Sequence, residues 1–167
     1  MIALLRVDNR LLHGQILETW APRLRARCVV VADDEAASSP LAQAAMTLCV
    51  PPELPVHIRR IAEVDWKGLA ASPDPILVLM RELSALTRAV EGGLTPALAP
   101  RVNLGNVHYV PGRVPLTPSI YLSEPEVRMV RDLVGRGFEL EARAVPSDAP
   151  VGAGALLEKY AAATAGR

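Results

Sequence analysis

Short aliphatic runs alternate along the chain with stretches of helical period, the pattern of a parallel sheet joined by crossover helices. Six runs predict strands: Ile2–Val7, Cys28–Ala32, Val56–Arg59, Pro75–Met80, Arg101–Leu104 and Phe138–Arg143. Most are almost continuously apolar, as strands covered on both faces must be. Between them Ile16, Leu17 and Trp20 give a first helix its apolar stripe. Ser39 and Pro40 open a second helix as N-cap and first helical residue, running to about Cys49. Ile61–Ala71 and Glu82–Gly92 are the third and fourth, the latter stopped at the Gly92–Gly93 pair. Ser123 with Glu126 three residues on makes a capping box ahead of Val127, Val130 and Val134, and Gly137 ends that helix. Prolines 115 and 118 make Arg113–Leu122 an irregular or edge hairpin. Residues 153–165 read as a C-terminal helix. The predicted architecture is a three-layer α/β/α sandwich on a mainly parallel sheet of about six strands. With no repeat, linker or low-complexity block, one domain accounts for residues 1–167.

Composition narrows the function. A chain of 167 residues, half of them apolar, can bury roughly 70% of its unfolded surface and needs no disulfide or structural metal to fold. Eighteen basic and eighteen acidic side chains cancel, and the aromatics are only two Trp, three Tyr and one Phe. A nucleic-acid module needs a basic field and stacking platforms, so that class is excluded. The 16 Arg against 2 Lys read as codon bias, not as function. Cys28 and Cys49 are too far apart for a CxxC redox or zinc motif, which leaves a reduced, cytoplasmic setting as the expectation. The apolar run Ile2–Leu5 is cut off by Arg6 and has neither basic lead nor cleavage site, so no signal peptide is expected. No run approaches the ~18 apolar residues of a membrane span, so direct membrane insertion is not expected.

In an open α/β sheet, ligands bind beyond the carboxyl ends of the strands. The segments there are Asp8–Gln15, Asp33–Glu35, Arg81–Glu82 and Gly105–His108. The first is the richest. Its His13 follows Arg6 and Arg10 and precedes Gly14, which opens a helix. A neutral imidazole is a competent nucleophile near pH 7. A phosphoryl group in a loose, anionic transition state needs positive charge and N–H donors more than acid–base partners. Arg10, Arg6 and the free amides of Gly14 and Gln15 supply them.

Plainer readings stand beside this one. A loop histidine is most often a surface or hydrogen-bonding residue. Arg6 and Arg10 could simply pair with Asp8 and with Asp33 or Asp34. Asp33-Asp34-Glu35 reads as a solvated loop with helix-capping acids, since a Mg²⁺ site there lacks a phosphate-binding glycine loop. His13, His57 and His108 lack metal-ligand spacing, so no metal is expected. No GxSxG elbow supports a serine nucleophile, and both cysteines lie amid apolar neighbours.

The segment Arg6-Val7-Asp8-Asn9-Arg10-Leu11-Leu12-His13-Gly14-Gln15 resembles the R-[IV]-D-D-R-L-[IL]-H-G-Q opening of the IIB components of mannose/fructose/sorbose-type phosphotransferase systems, with one departure. The likeness continues through Val29–Ala36, Glu91–Gly93, Asn103–Tyr109 (the family's N-x-G-G-M-H-[FY]) and Arg143–Pro146, so it covers about residues 1–150. The resemblance implies a phosphoryl carrier on a mainly parallel α/β sandwich, without cofactor or metal. His13 would take a phosphoryl group from a IIA phosphohistidine and pass it to a sugar held by membrane IIC and IID partners. That is a sugar phosphotransferase activity, cytoplasmic and associated with the permease. Arg10 would be the main electrostatic partner, Arg6, Asp8, Gly14 and Gln15 phosphate-binding, and Asn103, Asn106 and His108 a neighbouring loop. Homo-oligomerisation stays open, as does the identity of the sugar.

Two departures stand out. Asn9 replaces the family's second Asp, removing a negative charge near the phosphoryl site. Asn106 replaces a Gly at a backbone position expected to favour positive φ. A second reading keeps His13 for regulation, its phosphorylation state read by a protein partner without sugar transport. A third, a nucleotide-binding α/β module, lacks GxGxxG and P-loop motifs.

Overall fold

A computed structural model describes residues 1–166. Strands β1 (Ile2–Asp8), β2 (Cys28–Ala32), β3 (Val56–Arg59), β4 (Ile76–Met80), β5 (Arg101–Asn106), β8 (Glu139–Ala142) and β9 (Val151–Gly152) form one sheet in the order β3-β2-β4-β1-β5-β8-β9. All pairs are parallel except β8 with β9. The six expected strands are present. The seventh, β9, is a two-residue antiparallel edge, too short to leave a hydrophobic pattern. Strands β6 (Val114–Thr117) and β7 (Ile120–Leu122) make the expected irregular hairpin, as a two-stranded sheet of its own and not as an edge of the main one.

Two apolar clusters lie on opposite faces of the sheet. Residues Leu4, Val29, Val31, Leu77 and Leu79 point to one face, against Leu11, Leu12, Ile16, Trp20 and Ala36. Leu5, Val7, Val30, Val78, Met80, Val102 and Leu104 point to the other, against Leu86, Val127, Val130 and Leu156. Strand β1 is buried along its whole length, Arg6 and Asp8 included. It lies between β4 and β5, so its exit loop is flanked by two other strand ends.

The helices follow local rules with three corrections. Residues 14–24 are continuously helical, but Ile16–Trp20 is a π-helical turn leading into α1 (Ala21–Leu24). Pro22 has no N–H to close the bond onto the Glu18 carbonyl, and the turn ahead of it widens. The acids after β2 build a helix of their own, α2 (Asp34–Ser38), because the Asp33 carboxylate accepts from Ala36 N–H at 2.8 Å. The expected helix over 61–71 is two pieces, a 3₁₀ turn at Ile61–Glu63 and α4 (Trp66–Ala71), separated by the Asp65 cap. Helix α3 (Pro40–Thr47) starts at its Ser39 cap, and α5 (Leu83–Glu91) gives way to Gly92 and Gly93, the latter at φ 102°. The capping box of α6 (Glu124–Gly135) is formed, and α7 (Ala153–Thr164) closes the fold. Among the described residues no helix is long and apolar enough to cross a membrane.

Candidate phosphoryl-transfer site

Strand β1 ends in Asp8, and Leu11 N–H turns back onto the Asp8 carbonyl at 2.9 Å. That tight turn puts Leu11 at φ 55°, a left-handed conformation costly for leucine. Burial of its side chain among Ile16, Val29 and Leu79 offsets the strain. The turn delivers His13 to the start of the helix, where its carbonyl accepts from Ile16 and Leu17 N–H. Gly14 and Gln15 N–H, in the first turn, have no intrahelical acceptor. A Cβ on Gly14 would meet nothing nearer than Glu18 Oε1 at 3.9 Å, so the backbone there is open to an approaching group.

One buried carboxylate organises the site. Asp8 Oδ2 lies 3.3 Å from His13 Nε2 and accepts from Arg6 Nη2 at 2.9 Å. Arg10 donates to Asp8 from its backbone N–H and Nε, both at 3.1 Å, and from Nη2 at 3.2 Å. Burial alone would raise the Asp8 pKa, but the hydrogen bonds from His13 and Arg10 and the Arg6 charge hold the carboxyl well below the usual carboxylate range. An ionised carboxylate only accepts, so the proton of a neutral His13 ring belongs on Nε2 and the free lone pair on Nδ1. The His13 side chain keeps 20% of its surface exposed. Arg10 is 47% exposed, with Nη2 on Gln15 Oε1 at 3.0 Å. Its Nη1 makes no hydrogen bond among the described residues.

Arg6 has a different place from the one the sequence assigns it. Its guanidinium is fully buried beneath the loop, over the Trp20 ring at 5.0 Å. Both terminal nitrogens are used, on Asp8, Asn103 Oδ1 and the carbonyls of Arg143 and Ala144. Arg6 therefore supports Asp8 from below and presents no donor to a surface phosphate. Burial pulls its pKa down, and Asp8 opposes that shift. Asn103 is likewise a buried strand residue, bonded to Arg6 and, through Nδ2, to the Arg143 carbonyl at 3.2 Å. Asp8 too is fully buried and bonded to Arg6, Arg10 and His13, so it offers no direct contact to a surface phosphate.

The plainer reading of the arginines holds for the Asp8 pairs, whereas Asp33 and Asp34 take Arg81 and Arg88. The Asp33–Arg81 pair is bidentate, at 2.9 and 3.0 Å, and ties the end of β2 to the end of β4. All four strand exits thus share one edge. Asn106 belongs to β5 and needs no positive φ, contrary to expectation. His108 N–H bonds to Asn9 while its carbonyl accepts from Arg113 at 2.7 Å, so Asp8 and not His108 orients the His13 ring. His57 is exposed on β3, away from this edge.

Gly105 is the residue that sequence reasoning missed. The register between β1 and β5 slips there, from Val7 opposite Leu104 to Asp8 opposite Asn106. A Cβ at Gly105 would fall 1.9 Å from Arg6 Cζ. A glycine within a strand signals a bulge or a close approach, and both occur here.

Fold and site together define a class: an open α/β protein presenting, beyond the carboxyl ends of its central strands, a part-exposed histidine backed by a buried carboxylate and an arginine. The sequence profile described as PTS system sorbose subfamily IIB component matches residues 2–165. The chain belongs to that family. It is 29% identical over 151 residues to the N-acetylgalactosamine-specific phosphotransferase enzyme IIB component 2 of Escherichia coli (strain K12), covering 90% of this chain and 94% of that protein. It is also 26% identical over 150 residues to the mannose-specific EIIAB component of the same organism, covering 89% of this chain and 46% of that one. It therefore spans less than half the length of the EIIAB relatives. The N-acetylgalactosamine-specific IIB component 1 from Escherichia coli superposes with a TM-score of 0.81 at 28% identity, over 90% of this chain and 98% of that one. The IIB domain of the sorbose permease from Klebsiella pneumoniae gives 0.80 over 96% of both chains and, at 23% identity, speaks for the fold alone.

Proposed function

We propose that the chain is a phosphoryl carrier in which His13 Nδ1 takes the group from a phosphohistidine of a IIA protein and hands it to a sugar held by membrane IIC and IID partners. The contact between His13 Nε2 and the buried, ionised Asp8 carries this reading, because it leaves the nucleophilic lone pair on Nδ1. The Nδ1 lone pair forms the new N–P bond as the donor's N–P bond breaks and its electrons return to the donor imidazole. Positive charge growing on the His13 ring is met by Asp8 through Nε2–H. Charge on the phosphoryl oxygens is met by Arg10 Nη1 and the Gly14 and Gln15 N–H groups. In the second step a sugar hydroxyl oxygen replaces Nδ1 on phosphorus, and its proton leaves to solvent or to the acceptor site. Such a relay works in the cytoplasm, against the permease, as a single domain.

Incubation with the general phosphocarrier proteins and a cognate IIA is expected to place one acid-labile, base-stable phosphate on the chain, absent in His13→Ala. Mass-spectrometric localisation to His57 or His108, with His13→Ala still labelled, overturns the assignment.

A further inference from the structure

Asn9 is the first residue past Asp8, and it touches both neighbours of β1. Its N–H donates to the Asn106 carbonyl at 3.0 Å at the end of β5. Its Oδ1 accepts from His108 N–H at 2.7 Å, and its Nδ2 donates to the Arg81 carbonyl at 3.0 Å beyond β4. The amide orientation is dictated by these partners, since a peptide N–H can only donate and a peptide carbonyl can only accept. A carboxylate of the same shape could keep the His108 bond but not the Arg81 bond. The departure from the R-V-D-D-R pattern therefore gives this chain a cross-strand clasp that the pattern's own Asp cannot make.

The clasped segment is held at its other end as well. Arg113 donates to the His108 carbonyl at 2.7 Å and forks onto Glu126 of the α6 capping box, with Nε at 2.9 Å. Between these anchors Tyr109 is 60% exposed and Val110 37% exposed, and Tyr109 is steadied by an edge contact with Tyr121, centroids 5.9 Å apart. Large apolar side chains in water, on a loop fixed at both ends beside the nucleophile loop, are a preorganised protein-docking rim.

We propose that Asn9 is a positioning residue that fixes the Tyr109–Val110 rim relative to His13, so that a protein phosphoryl donor docks in register with Nδ1. This rests on the carrier reading of His13. A small donor such as phosphoramidate needs no rim, and comparison of the two donors separates docking from chemistry. For Asn9→Ala the apparent KM for a phosphorylated IIA protein is expected to rise about tenfold as two hydrogen bonds are lost, with kcat and the phosphoramidate rate within about twofold of the parent chain. Asn9→Asp, which keeps the His108 bond, falls between the two. Tyr109→Ala raises the same KM, and combining it with Asn9→Ala gives less than the product of the two effects. An unchanged KM in Asn9→Ala at an unchanged melting profile overturns the proposal, as does equal slowing with both donors, which would place the effect on His13 itself. If Asn9→Ala fails to fold, the Asn9→Asp and Tyr109→Ala pair decides by the same cycle. A parent chain that takes no phosphate at His13 from either donor overturns the carrier reading instead.

Discussion

Replacing Gly105 by alanine tests whether Arg6 underpins the site. The added methyl would sit 1.9 Å from Arg6 Cζ and 2.1 and 2.3 Å from its two terminal nitrogens. Those nitrogens are the middle of a buried group with bonds to Asp8, Asn103 and two carbonyls, so the collision cannot be relieved by swinging a flexible end into solvent. Either the bulge opens, loosening the β1–β5 pairing and the Arg6–Asn103 bond, or Arg6 leaves Asp8 and breaks a buried ion pair, and the second route costs roughly 3–5 kcal/mol. In a domain of this size each kcal/mol lowers Tm by about 2–4 °C, so a drop on the order of 10 °C is expected. Urea denaturation gives the free energy, and phosphoramidate labelling of His13 at a temperature where the variant is folded gives the chemical consequence. Labelling should slow, because Asp8 without Arg6 holds the ring less firmly. A Gly105→Ala variant within about 0.5 kcal/mol of the parent chain, the range of an ordinary surface change, would refute the close-approach argument. Asn106→Gly is the control, expected to lower stability by no more than the roughly 1 kcal/mol of an added glycine.

The remaining predictions concern the charged residues. Asp8→Asn should slow transfer about a hundredfold, since the ring loses its orienting acceptor and the growing imidazolium its counter-charge; quench-flow with a phosphorylated IIA protein measures it. The folded Asp8 pKa is depressed below its ordinary value of 3.8, so its contribution to stability is complete above that value and fades as pH falls through the lower folded value. Acid titration of the urea midpoint should accordingly fall less steeply below about pH 4 in Asp8→Asn than in the parent chain. Arg10→Ala should lose about a hundredfold in transfer rate with little change in melting, and Arg10→Lys should lose less, keeping the charge but not the fork. Equal rates in all three Arg10 forms would remove Arg10 from the chemistry.

The central strands were legible because parallel strands covered on both faces must be apolar throughout, and Cys28–Ala32 or Ile76–Met80 admit little else. Strand β9 was not, since two residues have no period and its pairing with β8 depends on the fold being complete. The π-turn carried a signal that went unread, Pro22 within a helical stretch. Asp33 was rightly suspected as a cap, but the five-residue helix it starts is too short to show a stripe. In the candidate site, the closeness of His13 and Arg10 was legible from local spacing, because loop and helix start are contiguous in sequence. Arg6 and Asn103 could not be assigned correctly, because only the pairing of β1 with β5, residues 97 apart, turns them toward each other. Asn9 read as a lost charge for the same reason: which carbonyl and which amide it meets is set by sheet order, and sheet order is not written in the loop.

The two arginines of the R-V-D-N-R segment consequently do different work. An isolated buried Asp8 beside His13 would repel the phosphoryl group that the proposed transfer brings there, and it would be too costly to keep ionised. Arg6, dehydrated and fixed against Trp20 and the Gly105 bulge, offsets that charge from beneath without reaching the surface. Arg10 then leaves the Asp8 cluster with one net positive charge on the side from which an anion approaches. Orientation of the imidazole and attraction of the phosphoryl group, which conflict if a lone carboxylate supplies the first, are thereby separated between a buried cation and an exposed one. Exchanging the burial of the two arginines would lose both properties, which is why the spacing Arg-x-Asp-x-Arg, alternating along a strand and then turning out of it, carries the site.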